Sequence, residues 1–309
     1  MRSGGPRTLG SRKPRHPSPW RQGDLPGTGR VPVSVVILAK NEALTIARAI
    51  SSCGWAEQVV VVDSGSSDGT VRIAEESGCD IVETDWPGFG LQRQRVLTMG
   101  IVRHEWILWV DADEYISPQL AVEVSEALRS PEVCAFSVRF KLRFQGAWID
   151  HCGWASSWKT ILVRRDSCSY ADSWIDHPVV TGGVGRLRHR LVDADQKGLQ
   201  SWLDKHIGYA ELQVAEEETF KNSASVFGRL KEFRESRTTD VRPLPRALAK
   251  DLIFPFVPFK PLALFVYMYV LRLGFLDGKW GLRFCVYHAV NQMTVRALAE
   301  QQSRTSKGG

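Results

Sequence analysis

The sequence lacks the cysteine and histidine patterns that mark a zinc site or a disulfide framework. Its six cysteines are widely separated, and none belongs to a Cys-x-x-Cys pair. We therefore expect reduced thiols in a cytoplasmic protein. The sequence also lacks a Gly-x-Gly-x-x-Gly turn after its first apolar strand, where Lys40-Asn41-Glu42 stands instead. This absence argues against a dinucleotide-dependent oxidoreductase.

Long apolar runs are also missing, since no stretch of about 20 apolar residues provides the length of a transmembrane helix. The most apolar segment, 252–276, is interrupted by Lys260, Arg272 and three prolines. Two interpretations stay open for it: a segment that lies on a membrane surface, favoured by its basic residues and tyrosines, and an ordinary core helix. Residues 1–30 contain seven Lys or Arg, one acidic residue and no apolar signal segment. We expect a disordered basic tail there.

Short β-branched runs alternate with helical segments along the first 130 residues. The predicted strands are 33–39, 59–62, 80–82 and 106–110, and the predicted helices are 43–53, 70–76 and 118–128. This alternation predicts an α/β fold with a mostly parallel sheet. Asp68 is placed to cap the helix that begins near Thr70.

The second half of the chain reads differently. Residues 136–144 alternate apolar and polar side chains, which predicts a half-buried strand. Residues 198–250 predict helix with a basic face in its later part. We therefore expect a catalytic domain over 31–197 and a helical region over 198–309, with membrane association around 252–276.

Acidic and amide side chains follow three of the predicted strands. Lys40-Asn41-Glu42, Asp63 and Asp111-Ala112-Asp113 come directly after apolar runs, and the carboxyl ends of parallel strands meet at one edge of a sheet. Asp111 and Asp113 can reach one hard cation and leave its other positions open to phosphate oxygens. Asp63 can accept hydrogen bonds from a base or ribose. A solvated surface turn is the alternative for the acidic pair, as an Asx turn is for Asp63.

Three segments carry a specific resemblance. Residues 35–42, 62–70 and 109–114 resemble, in the same order, the signature segments of family 2 glycosyltransferases. Residues 86–92 are similar to the subgroup that includes the lipopolysaccharide core glucosyltransferases of the WaaE type. The resemblance covers about residues 31 to 210.

The resemblance implies a GT-A fold and assigns a role to each matching position. A nucleotide-diphosphate sugar would lie along Ala39, Asn41, Glu42, Asp63 and Asp68 and reach Asp111. Asp111 and Asp113 would bind Mg²⁺ or Mn²⁺ together with the diphosphate. Residues 274–281 resemble the carboxyl-terminal segment of membrane-associated bacterial members. They imply a lipid-linked acceptor met at the inner face of the cytoplasmic membrane.

The sequence offers several candidates for the base that acts on the acceptor. An inverting transferase needs a base to take the proton of the acceptor hydroxyl. Related transferases carry a His-Glu pair where this chain has His177 followed by Pro178. Asp176 is the predicted base, a structural turn is the alternative for it, and Asp150 and His151 are the other candidates.

The sequence and its resemblance therefore favour an inverting glycosyltransferase of cell-envelope polysaccharide or lipopolysaccharide synthesis, acting on a glycan or lipid-linked acceptor. A sugar nucleotidyltransferase is one alternative, although the first strand lacks the glycine-rich basic loop of that class. The net charge of +6 admits a nucleic-acid binder as another. A nucleic-acid role would leave the acidic strand ends unexplained, so we expect no nucleic-acid partner.

Overall fold

The computed structural model describes residues 8–9, 29–155, 157–170, 178–194, 197–223 and 259–305. They form a mixed α/β fold with mostly parallel strands, as the sequence predicts, followed by helices. The chain divides into two compact units, one of residues 1–141 with 158–196 and one of residues 142–157 with 197–309. The predicted limits of 31–197 and 198–309 stay predictions. The predicted disordered tail, 1–30, lies largely outside the described residues.

The strands of the structure follow the sequence predictions in the first half of the chain. They are β1 Thr8–Leu9, β2 Val31–Ala39, β3 Ala56–Asp63, β4 Asp80–Glu83, β5 Trp106–Asp111, β6 Glu114–Tyr115, β7 Val133–Phe144, β8 Ala147–Ile149, β9 Trp158–Arg164, β10 Cys168–Tyr170, β11 Pro178–Val180, β12 Gly183–Arg186 and β13 Leu191–Asp193. The four predicted parallel strands correspond to β2, β3, β4 and β5, and the predicted alternating strand is β7.

The four central strands of the sheet in the first unit are parallel. Strands β4, β3, β2 and β5 lie side by side in that order, and β9 and then β7 extend the sheet in antiparallel fashion. Val35 and Ile37 of β2 face one hydrophobic cluster while Val36 and Leu38 face another, so both faces of the strand are covered. This two-sided burial explains why β2 is a continuous apolar run.

The helices are α1 Ile46–Ser52, α2 Thr70–Glu76, α3 Phe89–Thr98, α4 Pro118–Ala127, α5 Gly198–Ser223, α6 Lys260–Val266 and α7 Gly278–Thr305. The start of α4 shows why the sequence predicts it. The Ser117 hydroxyl oxygen accepts a hydrogen bond from the Leu120 N–H at 3.2 Å, and Pro118 occupies the first helical position. Helix α1 begins three residues later than predicted.

Helix α3 has no counterpart among the sequence predictions. Its apolar face is reduced to few residues, because glycine, arginine and glutamine occupy half of its length. Gln92 and Arg93 are nevertheless buried, at 2% exposure each, together with Val96. The helix is therefore held by polar contacts that a hydrophobic pattern does not predict.

The second unit is helical and aromatic. Phe144, Ile149 and Cys152 from its first segment pack with Met268, Phe284 and Cys285. Between α6 and α7 the chain passes through a π-helical turn, Tyr267–Leu271, and a 3₁₀ turn, Gly274–Asp277. Helix α5 confirms the helix predicted from residue 198, and its predicted part beyond 223 lies outside the described residues.

The segment that the sequence predicts to associate with a membrane, 252–276, is described over residues 259–276. Within the described part of the chain, no single helix has both the length and the apolar character to cross a membrane. One bent pair, Lys260–Leu271 with Gly274–Gln302 at 74°, meets the requirement by length and composition only.

Candidate active site

The loops after β2 and β3 are joined by hydrogen bonds. Asn41 adopts a left-handed backbone with φ of 55°, a conformation that asparagine tolerates. Its N–H donates to the Ser66 hydroxyl at 2.8 Å, and its side-chain oxygen accepts the Ser67 N–H at 2.8 Å. The Glu42 N–H donates to the Thr70 hydroxyl at 2.8 Å. The two loops therefore form one polar surface at the carboxyl edge of the sheet.

Asp63 organises the turn that follows its own strand. It is 1% exposed, and its carboxylate accepts the N–H groups of Gly65 and Ser66 at 3.0 and 2.8 Å. The Ser66 hydroxyl also donates to it, at 2.5 Å. Ala39 pairs with Asp63 across the strands and is 4% exposed. Asp63 thus makes the turn contacts of an Asx residue, and its predicted contact with the nucleotide stays a prediction.

Asp68 links the same two loops. Its carboxylate accepts the N–H groups of Ala43 at 3.1 Å and Thr70 at 3.0 Å, and the Thr70 hydroxyl also donates to it. Partial desolvation acts to raise the pKa of Asp68, but these hydrogen bonds outweigh it and lower the pKa below its ordinary value. Gly69 occupies the N-cap position of α2, so Asp68 binds the first turn of that helix from one residue before the cap. The contact from Ala43 holds residues 43–45 in a turn and explains the late start of α1.

A second polar cluster lies at the end of β5. Leu38 of β2 is the strand partner of Asp111, so this cluster is at the same edge of the sheet as the first two loops. Asp111 contacts two cations: its Oδ1 lies 3.3 Å from the Arg93 Nη2, and its Oδ2 lies 2.6 Å from the Lys159 Nζ. Lys159 also lies 3.0 Å from the Glu114 Oε1. We refer to Asp111, Asp113, Glu114, Arg93 and Lys159 as the acidic centre.

Burial shapes the charges of the acidic centre. The side chain of Arg93 is 2% exposed, and its guanidinium lies 5.2 Å from the centroid of the Trp109 ring. Burial and then the Asp111 carboxylate raise the pKa of Glu114 above its ordinary value, with Lys159 opposing the rise. Asp113 is 7% exposed, and its backbone oxygen accepts the Ala194 N–H at 3.1 Å.

Three members of the acidic centre were not predicted from the sequence. Arg93 lies on the unpredicted helix α3, and Lys159 lies on β9, 48 residues after Asp111. Glu114 directly follows the Asp-Ala-Asp segment, so its position was the one available signal. The pairing of β9 with β5 brings Lys159 to Asp111, and no local sequence signal predicts that pairing.

The carboxylate oxygens of the acidic centre are ligands of the kind that suits a hard cation such as Mg²⁺ or Mn²⁺. The Lys159 ammonium at Asp111 shows that a positive charge is stable at this carboxylate. Within the described ranges, no group of three or more His, Cys, Asp or Glu side chains is arranged to hold a metal ion. Asp111 and Asp113 offer carboxylate oxygens of the kind that such an ion binds, and their role as its ligands stays a prediction.

The candidate bases fall in different places. Asp176 lies outside the described residues, as does His177. In the second unit, the His151 Nδ1 lies 2.8 Å from the Asp277 Oδ1, and the Asp277 carboxylate also accepts the backbone N–H groups of Asp150 and His151 at 3.3 and 2.9 Å. The side chain of Asp277 is 6% exposed and that of His151 is 35% exposed. The pair holds the imidazole in a fixed orientation.

Residues 34–170, which include most of β2, all of β3 to β5 and the acidic centre, match the sequence profile of Glycosyl transferase family 2. Residues 34–170 form a family 2 glycosyltransferase domain. The resemblance of the three signature segments is therefore confirmed.

Two relatives show the range of similarity. An uncharacterized glycosyltransferase of Rickettsia bellii (strain RML369-C) is 44% identical over 93 residues, which are 30% of this chain and 31% of that protein. The lipopolysaccharide core biosynthesis glycosyltransferase LpsC of Rhizobium meliloti (strain 1021) is 29% identical over 108 residues, which are 33% of this chain and 39% of that protein. The matched part spans about a third of the length of such relatives.

Solved structures are more distant. Mannosyl-3-phosphoglycerate synthase from Rubrobacter xylanophilus shares 18% identity over 69% of this chain and 78% of that chain, with a TM-score of 0.44. Glucosyl-3-phosphoglycerate synthase from Mycobacterium tuberculosis, in complex with Mn²⁺, UDP and glucosyl-3-phosphoglycerate, shares 21% identity over 50% of this chain and 65% of that chain, with a TM-score of 0.34.

Proposed function

We propose that this chain is an inverting glycosyltransferase that moves a sugar from a nucleotide-diphosphate sugar to a glycan or lipid-linked acceptor. The observation that carries the proposal is the acidic centre, which lies at the same sheet edge as the joined loops after β2 and β3, inside the family 2 domain. The similarity to LpsC, named for lipopolysaccharide core biosynthesis, favours a role in cell-envelope polysaccharide or lipopolysaccharide synthesis.

The joined loops suit the nucleotide of the donor. Asn41, Asp63 and Asp68 are fixed by backbone hydrogen bonds, so a ligand would meet groups that are already in position and would lose less entropy on binding. Ala39 and Glu42 belong to the same edge. Partial exposure of the loop around Asn41 leaves its polar groups accessible to a ligand.

The acidic centre suits the diphosphate of the donor. Asp111 and Asp113 would hold Mg²⁺ or Mn²⁺, which when bound would neutralise the charge that develops on the leaving diphosphate. Arg93 is fixed against Trp109 beside Asp111. Its charge would stabilise the same leaving group from the protein side.

Asp176 remains the proposed base for the acceptor hydroxyl, with His151 as the alternative that a specific contact favours. A buried carboxylate at Nδ1 fixes the tautomer of an imidazole and leaves Nε2 to accept a proton. Asp277 provides that contact to His151. Asp176→Asn and His151→Gln in one transfer assay distinguish the two, because only the variant of the true base loses the pH-dependent limb of kcat.

The second unit suits attachment to the inner face of an anionic membrane. Large apolar side chains of its last helices are exposed, among them Phe259, Leu262 and Leu271 at 70%, 64% and 68%. Residues 259–302 contain five Lys or Arg but two acidic residues, and Asp277 is buried against His151. Positive charge next to exposed apolar side chains complements anionic lipid headgroups over an apolar interior.

Vesicle flotation tests the membrane proposal. Wild-type protein should bind vesicles that contain phosphatidylglycerol and bind phosphatidylcholine vesicles weakly. Leu262→Glu with Leu271→Glu should lose binding, whereas Leu44→Glu, at a position that is 70% exposed in the first unit, should retain it. Equal vesicle binding by wild type, the double variant and Leu44→Glu would contradict the membrane proposal.

A donor screen tests the proposed activity. Nucleotide-diphosphate sugars are incubated with the protein and Mn²⁺, and thermal stabilisation and release of the nucleoside diphosphate are measured. One donor should raise the unfolding temperature and be consumed. In a parallel incubation with nucleoside triphosphates and sugar phosphates, release of pyrophosphate without donor consumption in the screen would instead identify a nucleotidyltransferase and overturn the proposal.

A further inference from the structure

The Lys159 ammonium lies between two carboxylates of the acidic centre. Its Nζ is 2.6 Å from the Asp111 Oδ2 and 3.0 Å from the Glu114 Oε1. The side chains of Lys159, Asp111 and Glu114 are 16%, 35% and 3% exposed. Water therefore screens these contacts less than it screens an ion pair at the surface.

Lys159 occupies a position that a metal ion would need. The Asp111 Oδ2 is one of the oxygens available to a divalent cation, and here its close partner is an ammonium group. The Asp111 Oδ1 contacts Arg93 at 3.3 Å, so both oxygens of this carboxylate already face positive charge. A divalent ion that arrives alone must compete for Asp111 with two cations that already lie at short range.

Of the two cations, Lys159 is the one that can leave. The Arg93 side chain is 2% exposed and packs over the Trp109 ring. Lys159 carries its charge at the end of a flexible four-carbon stem with rotatable donors. A swing of that stem would free the Asp111 Oδ2 without moving the backbone of β9.

We infer that Lys159 competes with the divalent cation for Asp111, so that the metal binds weakly alone and tightly together with a nucleoside diphosphate. The negative diphosphate offsets the charge of the incoming metal and accepts the displaced ammonium. Lys159 is thus a positioning residue that couples metal binding to donor binding. This inference rests on the proposed function, because it assumes that Asp111 and Asp113 bind the metal.

The affinity of the full chain for Mn²⁺ alone tests the inference without any measurement of activity. Free Mn²⁺ is followed by electron paramagnetic resonance in wild type, Lys159→Gln, Lys159→Arg and Lys141→Gln. Lys159→Gln should bind Mn²⁺ at least about fivefold more tightly than wild type, because one repelling charge is removed. Lys159→Arg keeps the charge, and Lys141→Gln removes an exposed lysine of β7, so both should match wild type.

The same Mn²⁺ affinities are then measured in the presence of UDP and, separately, of GDP. In wild type the better of the two nucleotides should tighten Mn²⁺ binding, and in Lys159→Gln this gain should shrink by at least about threefold, since the competing ammonium is gone. Thermal unfolding establishes that each variant is folded. Lys159→Met replaces Lys159→Gln if the latter does not fold.

The outcomes separate this inference from the proposed function. Equal Mn²⁺ affinity in wild type and Lys159→Gln, with binding lost in Asp113→Ala, overturns the competition and leaves the metal site standing. Absence of Mn²⁺ binding in every protein, with and without either nucleotide, overturns both.

Discussion

The acidic centre of the first unit and the helical surface of the second unit are stabilised in opposite ways. At the acidic centre, buried and partly buried carboxylates and cations hold each other through short contacts, as Asp111 does with Lys159 at 2.6 Å. In the second unit, large apolar side chains such as Leu271 are 68% exposed while histidine is buried among aromatic rings. The first arrangement is typical of a site that binds charged ligands, and the second of a surface that binds apolar ones.

The difference predicts that a charge change will affect activity most in the first unit, and that a packing or protonation change will affect stability most in the second. Variants that change activity without changing stability, or stability without activity, would support this difference between the units. Variants that change both equally would contradict it.

The largest effect is expected at Asp113. Asp113→Ala should lower the rate of donor consumption about a thousandfold or more, because loss of a metal ligand removes stabilisation of the leaving diphosphate. Asp166→Ala, at an exposed aspartate of the same unit, should retain activity. Both rates are measured with the donor found in the screen, at saturating Mn²⁺. Normal turnover by Asp113→Ala would show that the assigned metal ligand is wrong.

A packing change in the second unit comes next. A Cβ at Gly281 would lie 2.1 Å from the Gly274 carbonyl oxygen, which is backbone and cannot move aside. Gly281→Ala should therefore lower the free energy of unfolding by roughly 3 kcal/mol. Gly208→Ala is the matched control in α5, where a Cβ would meet nothing within 4 Å, and it should stabilise by about 1 kcal/mol. Equal denaturant midpoints for the two variants would contradict the close approach of Gly281.

The third effect depends on pH. Burial, and then the charge of His206, lower the pKa of His288 to about 3, while an unfolded histidine titrates near 6.5. Between these values the unfolded chain binds the proton and the folded chain does not, so stability is lost as pH falls below about 6.5. From pH 7 to 5 this group should cost about 2 kcal/mol.

His288→Gln should reduce the loss of stability between pH 7 and 5 relative to wild type. Urea denaturation at the two pH values measures the difference. The rings around His288 include Phe284 at 4.4 Å and His206 at 5.6 Å between centroids. Because the charge of His206 also acts on His288, the variant His206→Gln is measured in the same experiment. An unchanged pH dependence in His288→Gln would mean that this histidine is not buried in its neutral form.

The smallest effect is expected at a helix cap in the first unit. Ser117→Ala removes the acceptor of the Leu120 N–H and should cost about 1 kcal/mol of stability. Ser117→Asp should restore most of it, because aspartate caps helices well. Thermal unfolding of the three proteins measures this, and a loss in Ser117→Asp as large as in Ser117→Ala would argue against capping.

Much of the first unit could be predicted from the sequence because its signals are local. The valine run of β2 and the cap at Ser117 each depend on neighbouring residues alone. Helix α3 escaped prediction because Gln92 and Arg93 are buried through polar contacts, which hydrophobic periodicity does not register.

The residues of the candidate site also fall into a group that local sequence predicts and a group that it does not. Asp111 and Asp113 follow an apolar strand and could be found by position, whereas Lys159 reaches Asp111 only because β9 pairs with β5. Asp63 could be placed at the strand end, but the three hydrogen bonds of its turn depend on the backbone conformation around Gly65. Contacts between distant segments are therefore the part that required the structure.

The central claim is that Asp111 and Asp113 bind a divalent cation together with a nucleoside diphosphate. Anomalous diffraction from crystals that contain Mn²⁺ and the nucleoside diphosphate of the identified donor tests it most directly. The account predicts one anomalous peak about 2.1 Å from a carboxylate oxygen of Asp111 or Asp113 and in contact with the diphosphate. An ordered nucleotide whose Mn²⁺ peak lies away from both carboxylates would contradict it.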